Sequence, residues 1–305
     1  MEGSSVAGRA EAVPGRPAAR RFWRRGLRGS DRNWALAFLV PYAVVFFAFV
    51  LYPVGYGLWL GHQPELYGEL FSDPIYLRTL VNTALFLGIG VNLHLFLALL
   101  LSGYFMQKSR WVKALLLVFV LPWAAPAIPT FISIHWMLNG QWGLINNLLY
   151  FLVGIGQGPH WLTSRWLTFS TVIVSYVWKW TPFWTVILMA GRTAIPQEVV
   201  EAAAVDGAVG VRRFIHVTFP LLANLYLVCT LLSTIWTLGD YNTVHFVSGG
   251  GPALSTHVLA TLGIRDAFVV GNPELGMAAV MSALPLLIPL VILLMRRLST
   301  SQVQL

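Results

Sequence analysis

Three carboxylates punctuate one short polar segment, Ala194-Ile195-Pro196-Gln197-Glu198-Val199-Val200-Glu201-Ala202-Ala203-Ala204-Val205-Asp206-Gly207-Ala208, between two long apolar runs. Pro196 suits the first position of a helix, Glu198 favours the positive end of its dipole, and the alanines allow close packing. Glu198, Glu201 and Val205 recur at a spacing that puts them along one helical face, where a carboxylate can meet an Arg or Lys of another chain. Gly207 supplies a residue able to turn at positive φ. A second apolar stripe, Val211, Phe214, Ile215 and Phe219, follows before Pro220. The pattern predicts helix, turn, helix lying along a surface, either a plain connection or a docking element.

Other chemistries lack their parts. The three lysines follow Gln107, Val112 and Trp178, so no Gly-Lys pair can build a phosphate loop. The seven histidines are widely spaced, with no HExxH and no pair at helical ligand spacing, and no metal site is expected. The single cysteine, Cys229, sits in an apolar run and reads as a small buried residue. No catalytic residue is assigned.

The elements that must position the carboxylate segment are membrane spans. The 305 residues are 57% hydrophobic and only 10% charged, with a mean hydropathy of +0.68, which is more apolar surface than one soluble core can bury. Six stretches approach the ~20 residues needed to cross a hydrocarbon core: roughly 34–60, 80–104, 113–137, 169–191, 219–238 and 275–295. The fold class is therefore all-α and polytopic, with prolines kinking several spans. Lys and Arg distribute unevenly, sixteen on the side holding both termini against Arg78, Arg165 and Arg265 on the other. This places both termini and the carboxylate segment in the cytoplasm. The net charge of +8 is thus explained by topology, and nucleic acid is not an expected partner. Residues 1–33 read as a basic arm touching anionic lipid, 34–297 as the transmembrane domain with its polar loop at 192–218, and 298–305 as a tail.

Lys179, the one cation within a span, needs water, a carbonyl or a partner charge. It reads either as a packing contact or as a residue of a translocation path with Asn82, Trp180, Asp240 and Tyr241. A proton- or ion-coupled secondary transporter normally carries a titratable group in the membrane. All twelve acids lie outside the spans or at their edges, which leaves only His94 and His135 for that alternative.

Glu201-Ala202-Ala203, Asp206-Gly207-Ala208, Phe214 and Pro220-Leu221-Leu222 together resemble the EAA loop of importer permeases. The stretch 195–222 is similar to permeases of binding-protein-dependent ABC sugar importers of the maltose and glycerol-3-phosphate type. Leu121-Pro122-Trp123, Gly143-Leu144-Ile145-Asn146, Val177-Trp178-Lys179 and Gly249-Gly250-Gly251-Pro252 extend the likeness to roughly 34–297. The resemblance implies a type I importer permease fold and a non-enzymatic, channel-forming subunit of the inner membrane. It implies a second, different permease, two ATPase subunits that bind ATP and Mg, and an extracytoplasmic substrate-binding protein. Glu198, Glu201, Ala202, Ala203, Asp206, Gly207, Ala208 and Phe214 become the coupling contact to the ATPase. Gly249, Gly250, Gly251 and Pro252 become a flexible entry to a binding-protein contact that presents Ser255, Thr256 and His257. The solute expected is a carbohydrate or polyol.

Overall fold

A computed structural model describes residues 27–156 and 158–302, and among them the regular structure is entirely helical. Residues 1–26 of the expected arm and 303–305 of the expected tail lie outside this range. The last residues of the arm are helical, because the first helix opens at Leu27. The chain divides after Gly57 into two units. The described residues of the first are helical and carry most of the candidate span Trp34–Leu60 (α1), along which aromatic rings stack four residues apart, Trp34 on Phe38 and Tyr42 on Phe46.

In the second unit a short helix, Pro64–Ser72 (α2), leads through Asp73 into the long span Pro74–Phe105 (α3). Asp73 makes that join, since its carboxylate accepts from the Ile75 N–H at 2.8 Å and Pro74 needs no partner in the first turn. Then come Arg110–Ala124 (α4), Ala127–Met137 (α5), Leu144–Val153 (α6) and the span Arg165–Thr193 (α7). Gln197–Val205 (α8) precedes the span Gly210–Leu238 (α9). Asn242–Ser248 (α10), Leu259–Ile264 (α11) and the span Pro273–Leu298 (α12) complete the order. Helix α7 is central, packing against α3, α4, α9 and α10. Its N-terminal half buries Phe169, Val172 and Tyr176 with Phe86, Phe131 and Val244, and its C-terminal half buries Trp184 and Leu188 with Leu95, Ala98 and Leu222.

Among the described residues five helices are long and apolar enough to cross a membrane. The expected third span is instead two helices, α4 and α5, bent by 96°, and it makes a sixth crossing only if both arms count as one. The cause is local. Pro126 disfavours helical geometry in Ala125, which adopts φ −67°, ψ 145°, and proline itself brings no N–H. Carbonyls near the break consequently lose their helical donors.

Lys179 supplies what the break lacks. Its side chain is 1% exposed, and its ammonium donates to the Pro122 carbonyl at 2.6 Å and also to the Ala125 carbonyl. The packing reading made from sequence thus has a specific form: α7 pins the corner between α4 and α5. Lys179→Met should orphan both carbonyls at about 1–3 kcal/mol each, lowering the thermal unfolding midpoint of the purified complex. An unchanged melting profile would remove Lys179 from this role.

Candidate functional site

The carboxylate segment folds as helix, turn, helix. Pro196, with ψ 136°, opens α8, and Glu198 stands in its first turn. The helix ends in a Schellman motif: Gly207 sits at φ +75°, its N–H reaches the Ala204 carbonyl at 3.1 Å, and the Ala208 N–H reaches the Ala203 carbonyl at 2.8 Å. Glu198, Glu201, Ala202, Val205 and Asp206 are exposed, whereas Ala203 is buried and Ala208 half-buried. Among the described residues the three carboxylates of this segment make no ion pair, in contrast to Asp266, which pairs with Arg265 at 2.7 Å. Glu201 accepts only the Gln197 amide, at 3.2 Å.

The segment is braced from beneath. Arg192, in the last turn of α7, donates from Nε to Ser102 Oγ at 2.8 Å and from Nη2 to the Leu99 carbonyl at 3.0 Å. Its guanidinium also lies 5.5 Å from the centre of the Phe214 ring, which in turn meets Phe219 at 6.0 Å. The ends of α3 and α7 and the start of α9 are thereby tied together around α8. Sequence reasoning counted Arg192 only as topology. Its place in the last turn of a helix, beside a polar loop, was the available signal.

Among the described residues no side-chain hydrogen bond or ring contact joins Asn82, Lys179, Trp180, Asp240 and Tyr241, the residues grouped as a path. Buried Asn82 donates to the Ser255 and His257 carbonyls at 2.8 and 2.9 Å and accepts from Arg165 Nη2 at 3.1 Å. The Asp240 carboxylate accepts from the Thr243 N–H at 3.0 Å and hydroxyl at 2.5 Å, and burial pushes its pKa up against the pull of those bonds. Tyr241 stacks on His245 with centroids 4.5 Å apart. The half-buried Trp180 keeps an indole N–H without a partner. Rings of α4, α7 and α9 form a separate patch, Trp123–Phe183 at 5.5 Å and Phe183–Trp236 at 5.6 Å, with Trp123 41% and Trp236 50% exposed.

The glycine-rich loop differs from its expected form. Gly249 and Gly250 take φ of +61° and +77°, and a Cβ on Gly250 would stand 2.2 Å from the His257 ring. The Thr256 hydroxyl donates to the Gly251 carbonyl at 2.6 Å, and the Thr256 N–H donates to the Gly250 carbonyl at 3.0 Å. The loop is a hydrogen-bonded knot beside Pro252, not a flexible entry. Ser255, Thr256 and His257 are buried within this chain and are not presented on its surface. Burial, followed by the charges of Arg265 and His245, lowers the His257 pKa to about 4, so its imidazole is neutral at neutral pH.

Residues 94–303 match the family described as "Binding-protein-dependent transport system inner membrane component". The chain is 32% identical over 262 residues to the sulfoquinovosyl glycerol transport system permease protein of Agrobacterium fabrum, covering 78% of this chain and 81% of that one. It is 28% identical over 254 residues to the trehalose/maltose transport system permease protein of Thermococcus litoralis, covering 79% and 85%. Its fold is similar to a chain of a bacterial ABC transporter involved in the import of alginate, with a TM-score of 0.77 at 20% identity over 90% of this chain and 98% of that one. With the family matched over more than half its length and a helical bundle that turns its carboxylate segment outward, this chain belongs to the inner-membrane components of binding-protein-dependent transport systems.

Proposed function

We propose that this chain lines half of a membrane pathway for a carbohydrate or related polyol and takes its drive from a separate ATPase through α8. Family membership leaves the ion-coupled alternative without support. The observation that carries the reading is the exposed, unpaired carboxylate face of α8, held by the Arg192 brace. Glu198, Glu201 and Asp206 suit a basic cleft on the ATPase. Ala202 permits close approach there, and Ala203, Ala208 and Phe214 seat the helix on the spans.

The carbohydrate class rests on the solutes named for the two relatives and on the patch of Trp123, Phe183 and Trp236. The C–H faces of a sugar ring are apolar and lie well against aromatic faces. Asp240, Tyr241 and Trp180 supply polar atoms on the same helices or just beyond them. A second, different permease would complete the pathway, two ATPase subunits would bind ATP and Mg, and a binding protein would deliver the solute near the Gly249–Pro252 knot, where Ala253 is exposed. ATP binding would draw the ATPases together, carry α8 with them and shift the permease pair between its open states. Both termini and α8 would face the cytoplasm, where the positive residues concentrate.

Glu201→Ala should weaken ATPase docking by about 2–5 kcal/mol, the cost of stripping one partner from a desolvated charge pair. Gly207→Val should distort the turn at roughly 1–2 kcal/mol or more, because a branched side chain opposes φ of +75°. In the full complex both variants should insert normally and lose ATPase copurification or coupled hydrolysis, and wild-type uptake in both would refute the assignment. Solute class is tested by which compound stimulates hydrolysis in the reconstituted complex. Trp236→Ala should depress that stimulation while the ATPase stays bound.

Topology is tested by single cysteines at exposed positions. Those at Ser72, Thr163 and Ala253 should react with impermeant thiol reagents from outside, and those at Ser109 and Val209 should not. The reverse pattern would invert the orientation.

A further inference from the structure

A cavity of about 390 Å³ lies beneath α8, where α3 and α7 end and α9 begins. Arg192 and Arg213 both line it, with the Gln197 amide and the Thr218 hydroxyl. Arg192 spends Nε and Nη2 on Ser102 and Leu99, which leaves its Nη1 amine uncommitted. Arg213 is half-buried and, among the described residues, its guanidinium has no hydrogen bond or ion pair. Two guanidinium groups facing one small cavity repel each other unless an anion joins them, and their planar forks match phosphate oxygens.

We infer that this cavity binds the phosphodiester headgroup of an anionic phospholipid, and that the bound lipid steadies α8. Three features favour a lipid over a free anion. The cavity sits at the converging ends of three spans, the depth at which headgroups lie. Met106 and Ile195 give it an apolar wall suited to the glycerol and the roots of the acyl chains. The leaflet placed here by the proposed orientation is the anionic one, which draws basic groups to its surface. Gln197, which lines the cavity, also holds Glu201, so an occupant touches the residue that positions a docking carboxylate. The inference rests on the proposed orientation. Its test does not, because lipid discs carry the same lipid on both faces.

The whole complex, with its ATPase, is reconstituted in nanodiscs mixing phosphatidylcholine and phosphatidylglycerol, and retained lipid is read by native mass spectrometry. Arg213→Gln should retain about tenfold less phosphatidylglycerol than wild type, the loss of one charge-assisted contact pair, while Arg213→Lys keeps an intermediate amount. Undiminished retention by Arg213→Gln overturns the inference. So does loss of the ATPase from that variant, since the guanidinium would then serve the partner chain. A second measurement needs no variant: mapping phenylglyoxal modification on the wild-type complex. Phosphatidylglycerol should protect Arg213 from the reagent in discs where millimolar inorganic phosphate, added to phosphatidylcholine alone, does not. Protection by inorganic phosphate would reassign the cavity to a free anion, and protection by neither would empty it.

Discussion

Inside a bilayer a carbonyl oxygen without a donor costs several kcal/mol, so a chain that turns at membrane depth must bring its own replacement. Here the turn is the 96° corner of α4 and α5, and the replacement is the ammonium of Lys179, carried fifty-odd residues later on α7. That one contact makes α7 the reference for everything around it. The same helix packs on α3, ends in the Arg192 brace, and contributes Phe183 to the aromatic patch. A charge that is costly in an apolar bundle is retained because the bent backbone beside it is costly too, and each offsets the other.

Other polar groups in the spans are settled more locally. Thr181, Thr185, Thr230 and Thr234 each donate to the carbonyl four residues back, which hides the hydroxyl against its own helix. Two pairs reach across instead: Tyr176 to Thr237 at 2.5 Å and His94 to Ser233 at 2.9 Å. They join α3, α7 and α9 at one level, above the brace. The membrane half of the bundle is therefore fixed by a few polar contacts between helices, with apolar packing filling in around them.

The spans and the α8 turn were legible in the sequence because both are local. Apolar run length gives the first, and proline, an alanine run and glycine at fixed offsets give the second. What the sequence hid depends on partners far away in the chain. Asn82 looks like a polar residue free to line a path, yet its partners are carbonyls 173 and 175 residues distant. Ser255, Thr256 and His257 look like a hydrophilic loop, but Asn82 and the glycine knot turn them inward. The corner at Pro126 was visible as a proline, but its angle was not, because only the position of Lys179 makes so sharp a bend tolerable. The pairing of Arg192 with Arg213 around one cavity likewise has no signature in spacing.

The Schellman turn at Gly207 and the Arg192 brace have a mechanical consequence. A linkage transmits force only if it is stiffer than the parts it moves, and a connecting loop with several free dihedrals would absorb a displacement as slack. Between the last turn of α7 and the first of α9, most backbone groups are committed to helix or to the turn, and a guanidinium bolts the two ends to α3. A push on α8 thus has little compliance in which to dissipate and arrives at the spans as torque.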